Sequence, residues 1–339
     1  MAKITKILAL IFFFAPFLGL GSTPKTWNLN LESSISKILS SADGNYGIYI
    51  KSLSTGEDFS LNAERSWYLA SAIKLAVANE LYKQIAQGKI RFEDTHIISL
   101  SDYRDGAGKT NFLKVGGLTT IRQLTEQMLI ESDNTATDIL INRLGIDNIN
   151  KSLGQTVPRG FSPISTMLDV RRLAYSEFNA KAGDLSNMDF FSLKKIKPEG
   201  KKISWLKKKL NLAQDQLKVG TLREAFERYY EVHLNSGTLR AYAQLLIHSA
   251  KNSDLMKIMS KSVTGDRRLS RGLPRGFNFA HKTGTQLARI CDMGIIYKNN
   301  PQKGLIVTVC AEKFKSSENA EKIFQKIGKA INDSGALTF

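Results

Sequence analysis

Within LASAIKLAVANEL, residues 69–81, Ser71 and Lys74 stand three positions apart in an otherwise apolar run. Leu69, Ala72, Ile73 and Ala76 recur at the helical period, so the segment reads as a helix with one face in a core. Residues three apart share a helix face, and a lysine held there out of water loses proton affinity until it can act as a base near neutrality. A serine beside such a base is an activated nucleophile, and a helix N-terminus favours the oxyanion formed on attack. The spacing alone is not specific. It recurs at Ser22/Lys25, Ser34/Lys37, Ser192/Lys195 and Ser204/Lys207, and a half-exposed helix carrying a solvated lysine is the plain alternative.

Two further stretches hold chemistry-bearing residues. In ESDNTATDIL, Ser132, Asp133 and Asn134 precede a helix, and all three types are good N-caps. In FAHKTGTQ, Lys282, Thr283 and Gly284 lie on an expected strand, where a glycine permits close approach of another backbone or a ligand.

Taken in this order and spacing, S-x-x-K, S-D-N and K-T-G form the signature of the penicillin-recognising serine enzymes. The chain resembles the class A β-lactamase family and its relatives among the penicillin-binding D,D-peptidases. The resemblance runs from about Asn45 to the C-terminus, around an extra segment from roughly Phe178 to Tyr230, and extends to SDNTATDILINRLG and to the GIIY strand. It implies that Ser71 attacks an acyl carbonyl and that Lys74 takes its proton, alone or through Ser132. It also implies that Ser132 passes that proton to the leaving nitrogen. Asn134 would bind the substrate's amide side chain. Lys282, Thr283 and Thr285 would hold its carboxylate beside Gly284, and the N–H groups of Ser71 and Thr285 would form the oxyanion hole. Asp133 is expected to be structural, and Tyr103 to wall the cleft.

The sequence departs from that family in two places. Class A β-lactamases discharge the acyl-enzyme with a glutamate on a loop after the S-D-N helix. Here the stretch GIDNINKSLGQTVPRGFSPISTMLDV has none; Asp147 comes too early and Asp169 lies within the next helix. Glu199 or Glu224 would have to fold back from the extra segment to within about 3 Å to replace it. Many class A enzymes also carry an arginine before the glycine of the strand that follows K-T-G. Met293 stands there, with Arg289 four residues earlier as the only nearby substitute.

The elements that must position these residues follow from the patterning. A helix over NLNLESSISKILSSAD precedes two alternating strands, NYGIYIKSL and EDFSLNA. Helical signals then dominate from Ser66 to about Asn252, and strands return in FNFAHKTGT, ARICDMGIIY and GLIVTVCAE before a final amphipathic helix. This predicts an α/β, two-lobed β-lactamase/transpeptidase-like fold, with an antiparallel sheet built from both termini, flanking helices and an inserted all-helical lobe. The expected lobes are 22–66 with 240–339, and 67–239. Within the second, the extra segment at about 178–230 carries eight lysines between Lys194 and Lys209. That run reads either as a solvated excursion or as a basic amphipathic element for an anionic surface.

Residues 1–21 read as an export signal: Lys3 and Lys6, then an apolar stretch from Ile7 to Leu20, shorter than a bilayer span prefers. The expected location is the periplasm or cell envelope. The formal net charge of +17 suits anionic envelope polymers, and export argues against nucleic acid as a partner. Cys291 and Cys310 face each other if KNNPQKG forms a hairpin, as a disulfide or as two buried thiols. The four histidines show no metal-ligand spacing, so neither metal nor cofactor is expected. The resulting expectation is a monomeric, exported serine hydrolase acting on D-alanyl-D-alanine peptides and acylated by β-lactams. A true β-lactamase is the first alternative. A non-catalytic basic envelope-binding protein is the second, disfavoured because three retained motifs have no simple structural reason.

Overall fold

The computed structural model describes residues 27–338; the expected export signal lies outside them. Helix α1 (Trp27–Leu39) leads into strands β1 (Asn45–Ser52), β2 (Asp58–Leu61) and β3 (Ser66–Tyr68), then helix α2 (Lys74–Ala86). The helical region holds β4 (Thr95–Ile97), β5 (Leu118–Thr120), α3 (Ile121–Ile130), α4 (Asn134–Leu144), α5 (Ile146–Thr156) and α6 (Met167–Ser176). Next come α7 (Asn187–Lys195), α8 (Glu199–Leu210), α9 (Leu222–Glu231), β6 (Ser236–Thr238), α10 (Leu239–Ser249), α11 (Ser253–Met259) and α12 (Leu269–Gly272). Strands β7 (Asn278–Gln286), β8 (Arg289–Tyr297) and β9 (Leu305–Glu312) and helix α13 (Ser317–Asp333) complete the chain.

This is the β-lactamase/transpeptidase-like fold. A five-stranded antiparallel sheet in the order β2-β1-β9-β8-β7 joins the two ends of the chain. Its strands β8 and β9 are buried on both faces, which is why they read as apolar runs rather than strict alternation. One face packs on α1 and α13 through Leu31, Ile48, Val307, Phe324 and Ile327, and the other on the helical lobe through Leu75, Leu81, Leu140, Tyr242 and Met293. β3 pairs with β6, so the chain leaves the sheet for the helical lobe and returns at one place. No helix among the described residues is long and apolar enough to cross a membrane.

Two expectations sharpen here. Cys291 and Cys310 are directly paired in the β8–β9 register and joined as a disulfide, with Cα atoms 4.1 Å apart. The lysine-rich segment is no mere solvated excursion. Its lysines are mostly exposed, but Phe178, Phe190, Leu193 and Leu206 bury against one another as a small core of their own. A second cluster, with Phe226, Tyr229 and Tyr230, packs directly on Tyr68 and Ala70 beside Ser71.

Candidate active site

Ser71 does not sit on α2 itself. It lies on a 3-10 turn, Ala70–Ile73, and Lys74 is the first residue of the α-helix that follows. A 3-10 turn brings positions three apart into near-eclipse, so Ser71 and Lys74 still share a face. Ala70, just before the serine, holds a left-handed φ of 47°, a strained conformation for a residue with a Cβ. β7 packs against this turn, and Gly284 explains how. A Cβ there would stand 2.1 Å from the Leu69 carbonyl oxygen, so the K-T-G glycine admits the backbone carrying Ser71.

The S-D-N tripeptide lies between α3 and α4. Ser132 takes a left-handed φ of 58°. Asp133 caps α4 through Ala136 N and also accepts from Thr110 N at 2.7 Å, a wholly structural set of partners. Gly108 lies so close that a Cβ on it would meet the Asp133 carboxylate at 2.1 Å. Capping thus fixes the turn that presents Ser132 and Asn134.

Three polar groups meet at Lys74. Its Nζ donates to the Ser132 carbonyl oxygen at 2.6 Å, to Ser132 Oγ at 3.3 Å and to Asn134 Oδ1 at 2.9 Å. Burial without a direct carboxylate partner drives its pKa down to about 7, with Asp133 and Asp138 only partly opposing the shift. Lys74 therefore exchanges its proton near neutrality, and its neutral form has a lone pair available as a base. Ser71 Oγ has no hydrogen-bond partner among the described residues, so the lysine is bonded to Ser132 rather than to the neighbouring serine. Asn134 Nδ2 donates to the Asp105 carbonyl oxygen at 2.9 Å, which leaves its second amide hydrogen uncommitted.

Lys282 completes the cluster. Its Nζ donates to Ser132 Oγ at 3.0 Å and to the Thr283 carbonyl oxygen at 3.2 Å. Burial, then the neighbouring cations Lys74 and Arg268, push its pKa well below the usual lysine range, against the pull of Asp292. Behind it His281 Nδ1 lies 2.7 Å from Asp292 Oδ1, both buried.

The cleft in front of these groups has a volume of about 240 Å³ and is lined by Ser71, Ser132, Asn134, Thr283 and Thr285. Sequence reasoning missed four of its other residues. Arg268, buried, donates to Thr285 Oγ1 at 2.8 Å and to the carbonyl oxygens of Gly284 and Cys291 at 3.0 and 2.9 Å. Thr264 accepts from the Thr283 hydroxyl at 2.7 Å. Met167 and Val170 of α6 line the cleft as well. The signal for Arg268 was VTGDRRL just ahead of the K-T-G strand, a loop with no periodicity to mark it.

One expected contribution, Tyr103, does not reach the cleft, and neither do Arg289, Glu199, Glu224 and Asp169, which the sequence left as weak substitutes or set aside. Tyr103 is not among its lining residues: its hydroxyl donates to Leu113 O at 2.6 Å and its ring packs edge-on against Phe191 of α7. Arg289 is held elsewhere, by Glu227 at 3.1 and 2.7 Å and by stacking on Tyr230. Glu199 accepts from Leu222 N across the extra segment, Glu224 from Gly220 N and Arg228, and Asp169 from the α6 cap residue Thr166. Among the described residues lining the cleft there is no carboxylate. Asp138 instead accepts from Met167 N at 2.7 Å and Leu168 N at 3.1 Å, fixing the start of α6, whose Met167 lines the cleft.

Fold and site together define a serine hydrolase scaffold of the penicillin-recognising type. The chain belongs to the β-lactamase enzyme family, whose sequence model matches residues 30–186 and 201–334, leaving 187–200 of the extra segment between the matches. It is 25% identical over 338 residues to the β-lactamase VEB-1 of Pseudomonas aeruginosa, covering 96% of this chain and 97% of that relative. Among solved structures it is similar to an acyl-enzyme complex of a PBP-A mutant with penicillin G, with a TM-score of 0.66 at 16% identity over 91% of this chain and 97% of that one. A β-lactamase from Chitinophaga pinensis gives a TM-score of 0.66 at 20% identity, over 90% and 99% of the two chains. These structural likenesses concern the fold.

Proposed function

We propose that this protein is an exported serine acyl-transfer enzyme that cleaves D-alanyl-D-alanine peptides of the cell wall and is acylated by β-lactams. Ser71 is the nucleophile, and Lys74, whose pKa burial lowers to about 7, takes its proton in the neutral form, directly or through Ser132. Ser71 Oγ forms an ester with the acyl carbon as the carbon–nitrogen bond breaks, and Ser132 delivers the proton to the leaving nitrogen. The N–H groups of Ser71 and Thr285 receive the oxyanion, and Asn134 gives its free amide hydrogen to the acyl-side amide. Thr283 and Thr285, with Lys282 and Arg268 behind them, receive the substrate carboxylate, whose negative charge restores the proton affinity that burial takes from Lys282.

One observation carries the peptidase reading. The residues proposed for acylation gather at the cleft, and among its described lining residues there is no carboxylate to activate water for hydrolysis of the acyl-enzyme. A peptide's leaving D-alanine departs and admits water or an acceptor amine. A β-lactam's leaving nitrogen stays tethered to the acyl group and blocks them. The disulfide supports an oxidising compartment, and the excess of cations suits an anionic envelope.

The likeness to VEB-1 favours a second reading, a β-lactamase. Release of D-alanine from a D-alanyl-D-alanine peptide, measured beside nitrocefin hydrolysis, separates the two. The peptidase reading expects D-alanine release and a nitrocefin burst matching the protein concentration, then slow turnover. Sustained rapid nitrocefin turnover without D-alanine release overturns it in favour of the second reading.

A further inference from the structure

A second cavity of about 440 Å³ adjoins the cleft, and Gly106, Arg171 and Gln286 line both. Its position relative to the substrate follows from which residues the two do and do not share. Thr264, Arg268, Thr283 and Thr285, at the carboxylate end of the cleft, do not line it; on β7 it begins only past them, at Gln286. Gly106 lies against Asn134, where a Cβ would meet Nδ2 at 2.1 Å. The second cavity therefore continues the cleft beyond Asn134, on the acyl side.

Its outer walls come from the lysine-rich segment: Phe190 and Phe226 supply apolar surface, and Lys194, Lys202 and Arg223 supply charge. Four cations, counting Arg171, face two carboxylates, Asp105 and Glu199. Several of these charges are occupied. Arg171 Nε holds both oxygens of Asp105 at 3.0 Å, Lys194 Nζ donates to Gly106 O at 2.8 Å, and Glu199 accepts from Leu222 N at 2.6 Å. Lys202 and Arg223 have no ion-pair or hydrogen-bond partner among the described residues. The cavity thus presents an apolar wall ending in two cations that pair with no side chain, with the Glu199 carboxylate tied to the backbone in the same cavity.

Resting on the acyl-transfer reading above, we propose that this cavity is an acyl-side subsite for donors bearing a carboxylate several bonds beyond the reacting amide, such as an acidic peptide branch. The connecting carbon chain lies along Phe190 and Phe226, and Lys202 and Arg223 receive the carboxylate as charge-assisted hydrogen bonds. The segment of residues 178–230 then selects the substrate and takes no part in the chemistry.

The test compares two penicillins that differ only at the far end of the acyl group: adipoylated aminopenicillanic acid and its terminal amide. Acylation rates are read by intact-protein mass spectrometry at low ionic strength, with penicillin G as a reference lacking any acyl-side charge. The wild type is expected to react roughly five-fold faster with the acid than with the amide, an advantage of the size exposed ion pairs give and one that added salt removes. In the Lys202→Ala/Arg223→Ala double variant the ratio falls to about one, while penicillin G acylates both proteins alike. A ratio of one in the wild type, or a ratio retained in the variant, overturns the subsite. Failure of all three penicillins to label Ser71 overturns the acyl-transfer reading instead.

Discussion

Lys74 Nζ lies 2.6 Å from the carbonyl oxygen of Ser132 and 3.3 Å from its hydroxyl, and a second buried amine, Lys282, reaches the same hydroxyl at 3.0 Å. A hydroxyl placed between two lysines of lowered proton affinity is well suited to pass a proton in either direction.

The first prediction concerns pH. With Lys74 titrating at about 7, acylation by penicillin G rises about tenfold per pH unit below that value and levels off above it. The folded protein excludes a proton that the unfolded chain binds up to pH 10.5, so Lys74 makes stability increase with pH above about 7. Urea unfolding from pH 7 to 9 is expected to show the wild type gaining on Lys74→Met by on the order of 1–2 kcal/mol. A difference independent of pH contradicts the assignment.

Ser132 separates a backbone role from a hydroxyl role. Both Ser132→Ala and Ser132→Gly remove the hydroxyl and are expected to slow acylation by about 10²–10⁴-fold. Only glycine relieves the left-handed φ of 58°, so the glycine variant unfolds later by roughly 1 kcal/mol. Stopped-flow acylation and denaturant titration of the pair check this, and unequal acylation rates contradict it.

Deacylation is expected to respond to a carboxylate introduced into the lining of the cleft. Met167 lines the cleft, and its backbone is fixed by Asp138, so Met167→Glu introduces an acid without rebuilding α6. The expected result is a penicillin adduct whose lifetime shortens by at least about tenfold, the low end of a general base's contribution. An unchanged lifetime places the deacylating water elsewhere.

The disulfide closes a loop with a sequence separation of 19. Reduction, or Cys291→Ser with Cys310→Ser, is expected to cost about 3 kcal/mol by the loop-entropy relation. Calorimetry with and without reductant measures it.

The residues that gather in the candidate site were legible in the sequence because each motif carries its residue types in a fixed local order: Ser71 with Lys74, Ser132 with Asn134, Lys282 with Gly284. The sheet was legible from apolar runs at both ends of the chain. What was hidden depends on pairings between distant segments. Arg289 resembled a substrate-carboxylate ligand until Glu227, from the extra segment, was seen to hold it. Arg268 resembled a loop residue until the fold carried it under β7 to Gly284 and Thr285. In the lysine-rich segment the density of charge masked the spacing of Phe190, Leu193 and Leu206, so its core was invisible as a pattern. The turn at Ala70 has no composition signal; its strain is held by packing against Gly284 and Tyr230.

The most direct test of the central claim is the time course of intact mass after mixing with penicillin G, with peptide mapping of the modified residue. The expected result is one penicilloyl group per chain, on Ser71, formed within the pH range where Lys74 is neutral and persisting long after free penicillin is removed. A protein that stays unlabelled, or one that clears the adduct as fast as it forms, contradicts it.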